Sequence, residues 1–436
     1  MQKDLISDGA HVVLGQIASA VGALVGVRVL TEVLEPEVFG SVTLVTGVIA
    51  LALGISSGGM MQAILRMYPE CLRSGTLDLL RAASAETLRK ATLWLAGTLA
   101  IGCLAYSIAT RGNPWPSVLV PGLLIVETAR LYQVTLLNAA GRQRLMASWT
   151  GSESWVRIAF AVAMVQLTGA NTEAVLGGYL LGTVVLWACF SKAANASRPG
   201  TQVAESYGNC PAKRNEELRS MKAQSIRYAK PLVPLGVLGW LSGQGDRYII
   251  GGLLGLASAG QYGAIYGLVS RPFLMAGASM ELIFRQVLYE SVSSDDLRRA
   301  RGVLSEWLGI VGLCGVLGAV GFSIFYSRIA SILLAQPYRD GAYLMPWIAA
   351  GYCLLLLAQV IERVCYATKE TGAVLFVQTA GAVSSILLST IGVLRSGLFG
   401  AAIAVPCYFG LQLSVSLVVA YRAARGHLDR VTMARK

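Results

Sequence analysis

Charge is what this chain has least of. Asp, Glu, Lys and Arg make up 14% of its 436 residues, against about 25% in ordinary globular proteins. So little polar surface cannot coat a soluble body of this size. Histidine is rarer still, with His11 and His427 the two present, and none of the eight cysteines forms a Cys-x-x-Cys pair. A structural zinc site and a disulfide framework therefore lack a ligand set. The chain has no Gly-x-x-x-x-Gly-Lys-[Ser/Thr] to cradle a nucleotide phosphate and no His-Glu-x-x-His. Neither ATP nor an enzyme's nucleophile–base pair has support. A cleavable-signal layout is missing at the N-terminus too, so the first apolar run reads as a first span.

What is abundant is apolar length. Hydrophobic residues make up 55% of the chain and mean hydropathy is +0.59. Segments of roughly 20 apolar residues recur, long enough to cross a hydrocarbon core of about 30 Å. The fold class expected is an all-α polytopic membrane protein of about twelve transmembrane helices. They are placed near 9–33, 38–65, 91–111, 117–138, 152–170, 172–192, 228–254, 257–284, 303–327, 341–366, 370–394 and 398–421. Residues 1–194 would form an N-terminal six-helix lobe, 195–227 a cytoplasmic linker and 228–436 a C-terminal six-helix lobe.

The net charge of +12 would suit nucleic acid, but its distribution points elsewhere. With the N-terminus inside, Arg66, Arg73, Arg81, Arg89 and Lys90 share one inner loop. Lys192, Arg198, Lys213, Arg214, Arg219, Lys222, Arg227 and Lys230 share another, and Arg422, Arg425, Arg430, Arg435 and Lys436 crowd the tail. Arg111, Arg328, Arg339 and Arg395 fall outside. This bias puts both termini in the cytoplasm by the positive-inside rule and makes a nucleic-acid partner unnecessary. Outer loops are too short for an extramembrane domain. Within the linker, Lys213–Ser225 is predicted as a short surface helix. Thr76–Lys90 and Ser294–Arg301 read as amphipathic elbows on the bilayer surface.

The two halves repeat. A shift of 220 residues brings Gly40 onto Gly260, Gly47 onto Gly267, Met60 onto Met280 and Glu70 onto Glu290, with Arg28 one residue from Arg247. Six spans each, both halves starting inside, predict a parallel repeat about an axis along the membrane normal. Transporters built this way place their substrate path between the repeats.

Ionisable groups at membrane depth are costly and are read as functional, each with a named partner. The cations placed in spans are Arg28, Arg130, Arg247 and Arg271, and the acids are Glu127 and Asp246. Arg271, near the middle of span eight and followed by Pro272, is expected to face a polar cavity unless it pairs with an acid as a structural link between helices. Arg28 and Arg247 lie near the outer ends of their spans, within reach of snorkelling. Glu127 and Arg130, three apart, meet on one helix face, either as a self-neutralising pair or as an acid that releases its arginine. Asp246 and Arg247 are neighbours pointing about 100° apart on a regular helix, so Asp246 is expected to seek an arginine across the interface. Gly236, Gly239, Trp240 and Gly243 share the face of Arg247, a stripe suited to a close helix or to a bulky ligand. Pro231, Pro234, Pro346 and Pro406 are predicted bending points.

Gly15-Gln-Ile-Ala-Ser-Ala, Val27-Arg-Val-Leu-Thr-Glu-Val-Leu-Glu-Pro-Glu-Val-Phe-Gly40 and Gln62-Ala-Ile-Leu-Arg-Met-Tyr-Pro-Glu70 resemble the start of the polysaccharide (O-antigen) flippases, the Wzx-type branch of the MOP exporter superfamily. Gly245-Asp-Arg-Tyr-Ile-Ile-Gly-Gly-Leu-Leu-Gly255 with Gly260-Gln-Tyr262 is similar to that family's Asp-Arg-centred second-half pattern. The resemblance implies two lobes in a V around a cationic central cavity. It implies transfer of polyprenyl-pyrophosphate-linked oligosaccharide to the outer leaflet of a bacterial inner membrane, driven by an ion gradient or the membrane potential. Arg28, Arg247 and Arg271 would then grip the pyrophosphate, a task suited to guanidinium, with Arg130 and Gln244 in the same substrate-binding set. Asp246 and Glu127 would couple a proton or sodium ion. No cofactor, metal or ATP is implied; the partners are the lipid-linked glycan, membrane lipids and other polysaccharide-assembly proteins. Beyond Arg271 the sequence offers few buried charges. A drug antiporter of the same superfamily would need a compact acidic site, and a membrane glycan polymerase would need a sizeable outer loop.

Overall fold

The computed structural model describes residues 2–196, 211–294, 296–368 and 370–434. Residues 197–210 of the predicted linker, and Arg435 and Lys436 of the basic tail, lie outside them. Among the described residues every regular element is a helix. In chain order these are α1 (Gln2–Val33), α2 (Pro36–Leu53), α3 (Gly59–Arg73), α4 (Leu77–Thr110), α5 (Pro116–Ala139), α6 (Gln143–Thr168) and α7 (Thr172–Ala196). There follow α8 (Pro211–Ala229), α9 (Val233–Leu254), α10 (Leu256–Ser293), α11 (Leu297–Leu333), the short α12 (Gln336–Arg339), α13 (Met345–Ala367) and α14 (Thr371–Ala434).

Among the described residues eight stretches are long and apolar enough to cross a membrane: His11–Val33, Pro36–Arg73, Leu77–Thr110, Pro116–Ala139, Thr172–Ala194, Leu297–Leu333, Gln336–Ala367 and Gly372–Gly426. The last supplies two spans, because Ser396 and Gly397 leave helical conformation and Gly397 takes φ 58°, a region open to glycine at little cost. Gly392 and Gly400 flank this bend so closely that a Cβ on Gly400 would lie 1.9 Å from the Gly392 carbonyl oxygen. Three further helices, α6, α9 and α10, carry Glu153 and Arg157, Asp246 and Arg247, and Arg271. Together they account for the twelve predicted spans, and the protein is a polytopic α-helical membrane protein.

Three local predictions need correction. Thr76–Lys90 is not a separate elbow, since α4 runs unbroken for 34 residues, roughly 50 Å at 1.5 Å per residue. Its stretch Ala82-Ala-Ser-Ala-Glu-Thr-Leu-Arg-Lys90 contains no Gly or Pro to turn it, so the amphipathic part continues the span beyond the hydrocarbon. Ser294–Arg301 likewise merges into α11, where Asp296 caps the first turn by accepting from the Arg299 N–H at 3.0 Å. Pro346 stands in the first turn of α13, where its missing N–H costs nothing, so it bends no helix. A break that was not predicted lies in the second span: Gly54–Gly58 forms a π-helical turn with Ser56 and Ser57 buried.

The chain divides into two compact units, Met1–Gly26 with Leu44–Val237, and Val27–Thr43 with Leu238–Lys436. In the first, Met60, Met61, Ala63 and Ile64 of α3 pack with Leu88 of α4 and Ala229 of α8. The predicted linker helix thus forms over a longer range and docks on its neighbours. Ser225 of α8 lies 3.6 Å from the Met67 sulfur, and Lys222 donates to Glu86 at 2.9 Å. Met221 packs against the cluster around Tyr68 and Leu80.

The second unit is built on α13, which buries Met345, Ile348, Ala349, Tyr352, Cys353, Leu356 and Ile361, among others, and packs against α10, α11 and α14. Its other feature is a reciprocal contact between repeat-related residues. A Cβ on Gly40 would meet the Leu256 carbonyl oxygen at 2.0 Å, and one on Gly260 would meet the Pro36 carbonyl oxygen at 1.9 Å. Pro36 and Leu256 are themselves 220 apart, so α2 and α10 approach about a local two-fold axis with glycine on both sides. Close backbone approach at small residues is a common mode of helix association in lipid. Gly260→Ala should therefore destabilise the protein by about 1–3 kcal/mol, read as a lower unfolding temperature in detergent. Gly267→Ala, where a Cβ meets nothing within 4 Å, should instead be neutral or stabilise by about 0.5–1 kcal/mol.

Candidate functional site

In the second unit, α9 buries Asp246 and Arg247 together with Ser242, Gly245 and Ile250. The α9–α10 hairpin sets residues 246 and 262 nearly equidistant from its turn at Gly255, so the two face each other. Asp246 Oδ2 accepts from the Tyr262 hydroxyl at 2.7 Å, and Oδ1 accepts from the backbone N–H of Arg247 at 2.8 Å. The partner of Asp246 is thus a tyrosine on the next helix rather than an arginine across an interface. A hydroxyl and an amide satisfy a carboxylate without a second charge.

Arg247 is 8% exposed. Its guanidinium carbon stands 4.5 Å from the centroid of the Tyr266 ring, within cation–π range, and its Nε is buried without a hydrogen-bond partner. Tyr266 belongs to an aromatic wall, with Tyr262 and Tyr352 each at 5.5 Å and Phe409 behind Tyr352 at 5.7 Å. On the face predicted for Arg247, a Cβ at Gly239 or Gly243 would meet nothing within 4 Å. Gln244 and Arg271 are both half-buried, the latter beside Pro272 within α10. Arg28 pairs with Glu32 one turn along at 2.8 Å, with 33% of its side chain exposed, and its Nη1 is buried without a hydrogen bond.

In the first unit the predicted Glu127–Arg130 pair forms, with Arg130 Nε 2.7 Å from Glu127. It is half of a larger figure. Arg130 also reaches Glu153 of α6 at 2.8 Å, and Arg157 bonds both Glu127 and Glu153. Arg157 lies 4.9 Å over the Tyr179 ring of α7. Two acids and two bases alternate in a closed, neutral ring that ties α5 to α6. Glu153 and Arg157 were missed because they sit in the opening turns of a predicted span; their four-residue spacing was the available signal.

Among the described residues the C-terminal spans bury few charges beyond Arg271, as expected, but one of them is held in a polar cluster. Glu362, 4% exposed, accepts from Gln378 Nε2 at 2.8 Å and from Gln412 Nε2 at 3.0 Å. Its neighbour Arg363 reaches Glu281 of α10 at 2.9 Å, and Glu281 also holds Arg285 at 3.0 Å. Isolated Gln378 and Gln412 in apolar runs were the overlooked sequence signal, since a lone amide at that depth needs a polar partner. Breaking a buried ion pair from one side costs about 3–5 kcal/mol. Arg157→Ala should lose that much, while the Arg157→Ala/Glu153→Ala double variant recovers part of it, measured by thermal unfolding of the full chain in detergent.

Known proteins set this geometry in context. A family model described as polysaccharide biosynthesis protein matches residues 5–281. Comparison with curated proteins found no match. Among solved structures, an inward-facing multidrug resistance MATE family transporter of the MOP superfamily aligns at TM-score 0.66 and 14% identity, covering 95% of each chain. Lipid II flippase MurJ, in an inward closed conformation, aligns at TM-score 0.66 and 13% identity over 98% of this chain and 92% of its own. A MOP superfamily transporter from Pyrococcus furiosus gives TM-score 0.60 and 13% identity over 98% and 97%. At such identities these likenesses establish the fold, which is that of MOP-superfamily transporters. The match over residues 5–281 goes further: this chain belongs to the polysaccharide biosynthesis protein family.

Proposed function

We propose that the protein is a flippase that carries polyprenyl-pyrophosphate-linked oligosaccharide from the cytoplasmic to the outer leaflet of a bacterial plasma membrane. Family membership supplies the glycan context, and the fold shared with a lipid II flippase supports a lipid-linked cargo. The observation that carries the reading is Arg247. A guanidinium 8% exposed, with an unpartnered Nε and open glycine positions along its face, has both the charge and the room to receive a diphosphate. Guanidinium suits this role because its planar fork matches phosphate oxygens. The face of the Tyr266 ring holds the cation more weakly than a carboxylate would, so an incoming anion does not have to displace a counter-ion.

Arg271 and Arg28 extend the grip in this reading, with Gln244 contributing an amide. Arg130, held between two carboxylates, would contribute to substrate binding if the ring opened. Energy comes from an ion gradient or the membrane potential, with Asp246 and Glu127 as the coupling acids. Both termini are placed in the cytoplasm on the strength of the Lys and Arg distribution.

In cells lacking their own flippase, Arg247→Ala and Arg271→Ala should each lower surface glycan about tenfold or more, the scale of a lost charge-assisted contact, at unchanged protein levels in the membrane. Arg247→Lys keeps the charge without the fork and should give an intermediate value. Full surface glycan from both alanine variants would remove the assignment, and increased resistance to cationic dyes on expressing the wild type would favour a drug antiporter. A second measurement addresses coupling: Asp246→Asn should change the dependence of flipping on the proton or sodium gradient, and an unchanged dependence would make that acid structural.

A further inference from the structure

Glu362 is a buried acid that the proposed substrate grip does not use. Its side chain joins three spans of the second unit: α13, which carries it, the part of α14 before the Ser396–Gly397 bend, which carries Gln378, and the part after it, which carries Gln412. Both carboxylate oxygens are occupied by neutral donors, Oε2 by Gln378 Nε2 at 2.8 Å and Oε1 by Gln412 Nε2 at 3.0 Å. Among the described residues no arginine or lysine pairs with it. Arg363, the neighbouring charge, is committed to Glu281 of α10 at 2.9 Å and lies 5.3 Å from the Tyr366 ring centroid. Cys365 and Tyr366 are the titratable neighbours on α13 itself. On α10, Glu281 and Arg285 are bound up in the Arg363 pairing. The contacts of α11 near the middle of α13 are apolar, Gly312 against Leu357 and Gly315 against Cys353.

A second feature of the same cluster is independent of the acid. Gln412 is 2% exposed, and its Oε1 is buried without a hydrogen-bond partner. A buried amide oxygen left bare costs about 1–3 kcal/mol, so its persistence in a packed interior requires a reason. That oxygen lies beside Gly381, where a Cβ would stand 2.8 Å from it and 3.0 Å from the Gln412 Cδ. Gly381 therefore leaves the space in which the amide can turn about its last bond. Such a turn exchanges the two ends of the amide, bringing Oε1 to where Nε2 now meets Glu362.

We propose that Glu362, Gln378 and Gln412 form a proton-binding site in which the Gln412 amide reports the state of the acid. Ionised Glu362 accepts from both amides, as observed. When a hydronium ion from solvent delivers its proton, one O–H bond forms on Oε1 and water leaves. The Nε2–H bond to Glu362 breaks, the new hydroxyl donates in its place to the turned Gln412 Oε1, and Nε2 takes the position beside Gly381, while Gln378 continues to donate to Oε2. A metal ion is less suited to this place, because N–H hydrogens already point at both carboxylate oxygens. Uptake of the proton removes a charge from a site with no counter-ion and changes the bond between α13 and the arm of α14 that carries Gln412. Its use as the coupling step rests on the flippase reading, whereas the binding of the proton does not.

The test uses the full-length protein in membranes and needs no glycan. Dicyclohexylcarbodiimide attacks protonated carboxyls in apolar surroundings, and its adducts can be mapped by peptide mass spectrometry. Glu362 should be modified at acid pH, with modification falling at least tenfold across an alkaline pH series, as titration of a single group requires. Infrared difference spectra between acid and alkaline buffer should show a carboxylic-acid carbonyl band that Glu362→Gln removes. Gln412→Leu, which deletes both the donor to the ionised acid and the acceptor for the protonated one, should shift the midpoint of that band. The proposal is overturned if Glu362→Gln leaves the infrared difference unchanged, or if modification is the same at every pH. Protection by sodium at fixed pH without an acid band would reassign the cluster to a metal cation. Once the wild-type band is assigned to Glu362 by its loss in Glu362→Gln, loss of flipping in that variant would support coupling, and normal gradient-driven flipping would leave a proton site that does not couple.

Discussion

Hydrocarbon does not solvate a charge, and that constraint organises the interior of this protein. An ionisable side chain there must be paired, hydrogen-bonded or set against an aromatic face, and each of these solutions occurs. Glu127, Arg130, Glu153 and Arg157 cancel one another in a closed ring. Asp246 is satisfied by a tyrosine hydroxyl and a backbone amide. Arg247 rests on a tyrosine ring, and Glu362 is held by two glutamine amides. The solutions differ in what they leave available. The ring is neutral and closed, whereas Arg247 keeps a bare Nε and Glu362 lies beside a bare amide oxygen.

Backbone packing follows from the same solvent. Lipid tails are as apolar as leucine side chains, so helices gain from close van der Waals contact more than from hydrophobic burial. The reciprocal approach of α2 and α10 at Gly40 and Gly260, and of the two arms of α14 at Gly392 and Gly400, puts glycine where a methyl group would not fit. Elsewhere, as at Gly239, Gly243 and Gly267, a Cβ would meet open space. Glycine in this chain therefore marks two different things, contact and clearance, and composition does not tell them apart.

The spans were legible because length and hydropathy are local properties. The offset of 220 was legible for a related reason, since it is a matter of spacing along the chain, and Gly40 and Gly260, which it relates, meet closely in the second unit. The elbows were misread because amphipathicity says which face a helix shows, not whether it bends. With no Gly or Pro between Ala82 and Lys90, α4 had no cause to turn. Glu153 and Arg157 were passed over as residues near the edge of a span, yet they complete the ring around Glu127.

What the amino-acid sequence determined by itself was class, span number and family resemblance, since these depend on composition, periodicity and short motifs. Tertiary structure decided which polar groups meet. Asp246 finds Tyr262 because the α9–α10 hairpin levels them across Gly255, and Glu362 finds Gln412 because α14 doubles back at Gly397. Pairing energies depend on distances of a few ångströms between residues far apart in the chain. Only the folded arrangement of helices sets those distances.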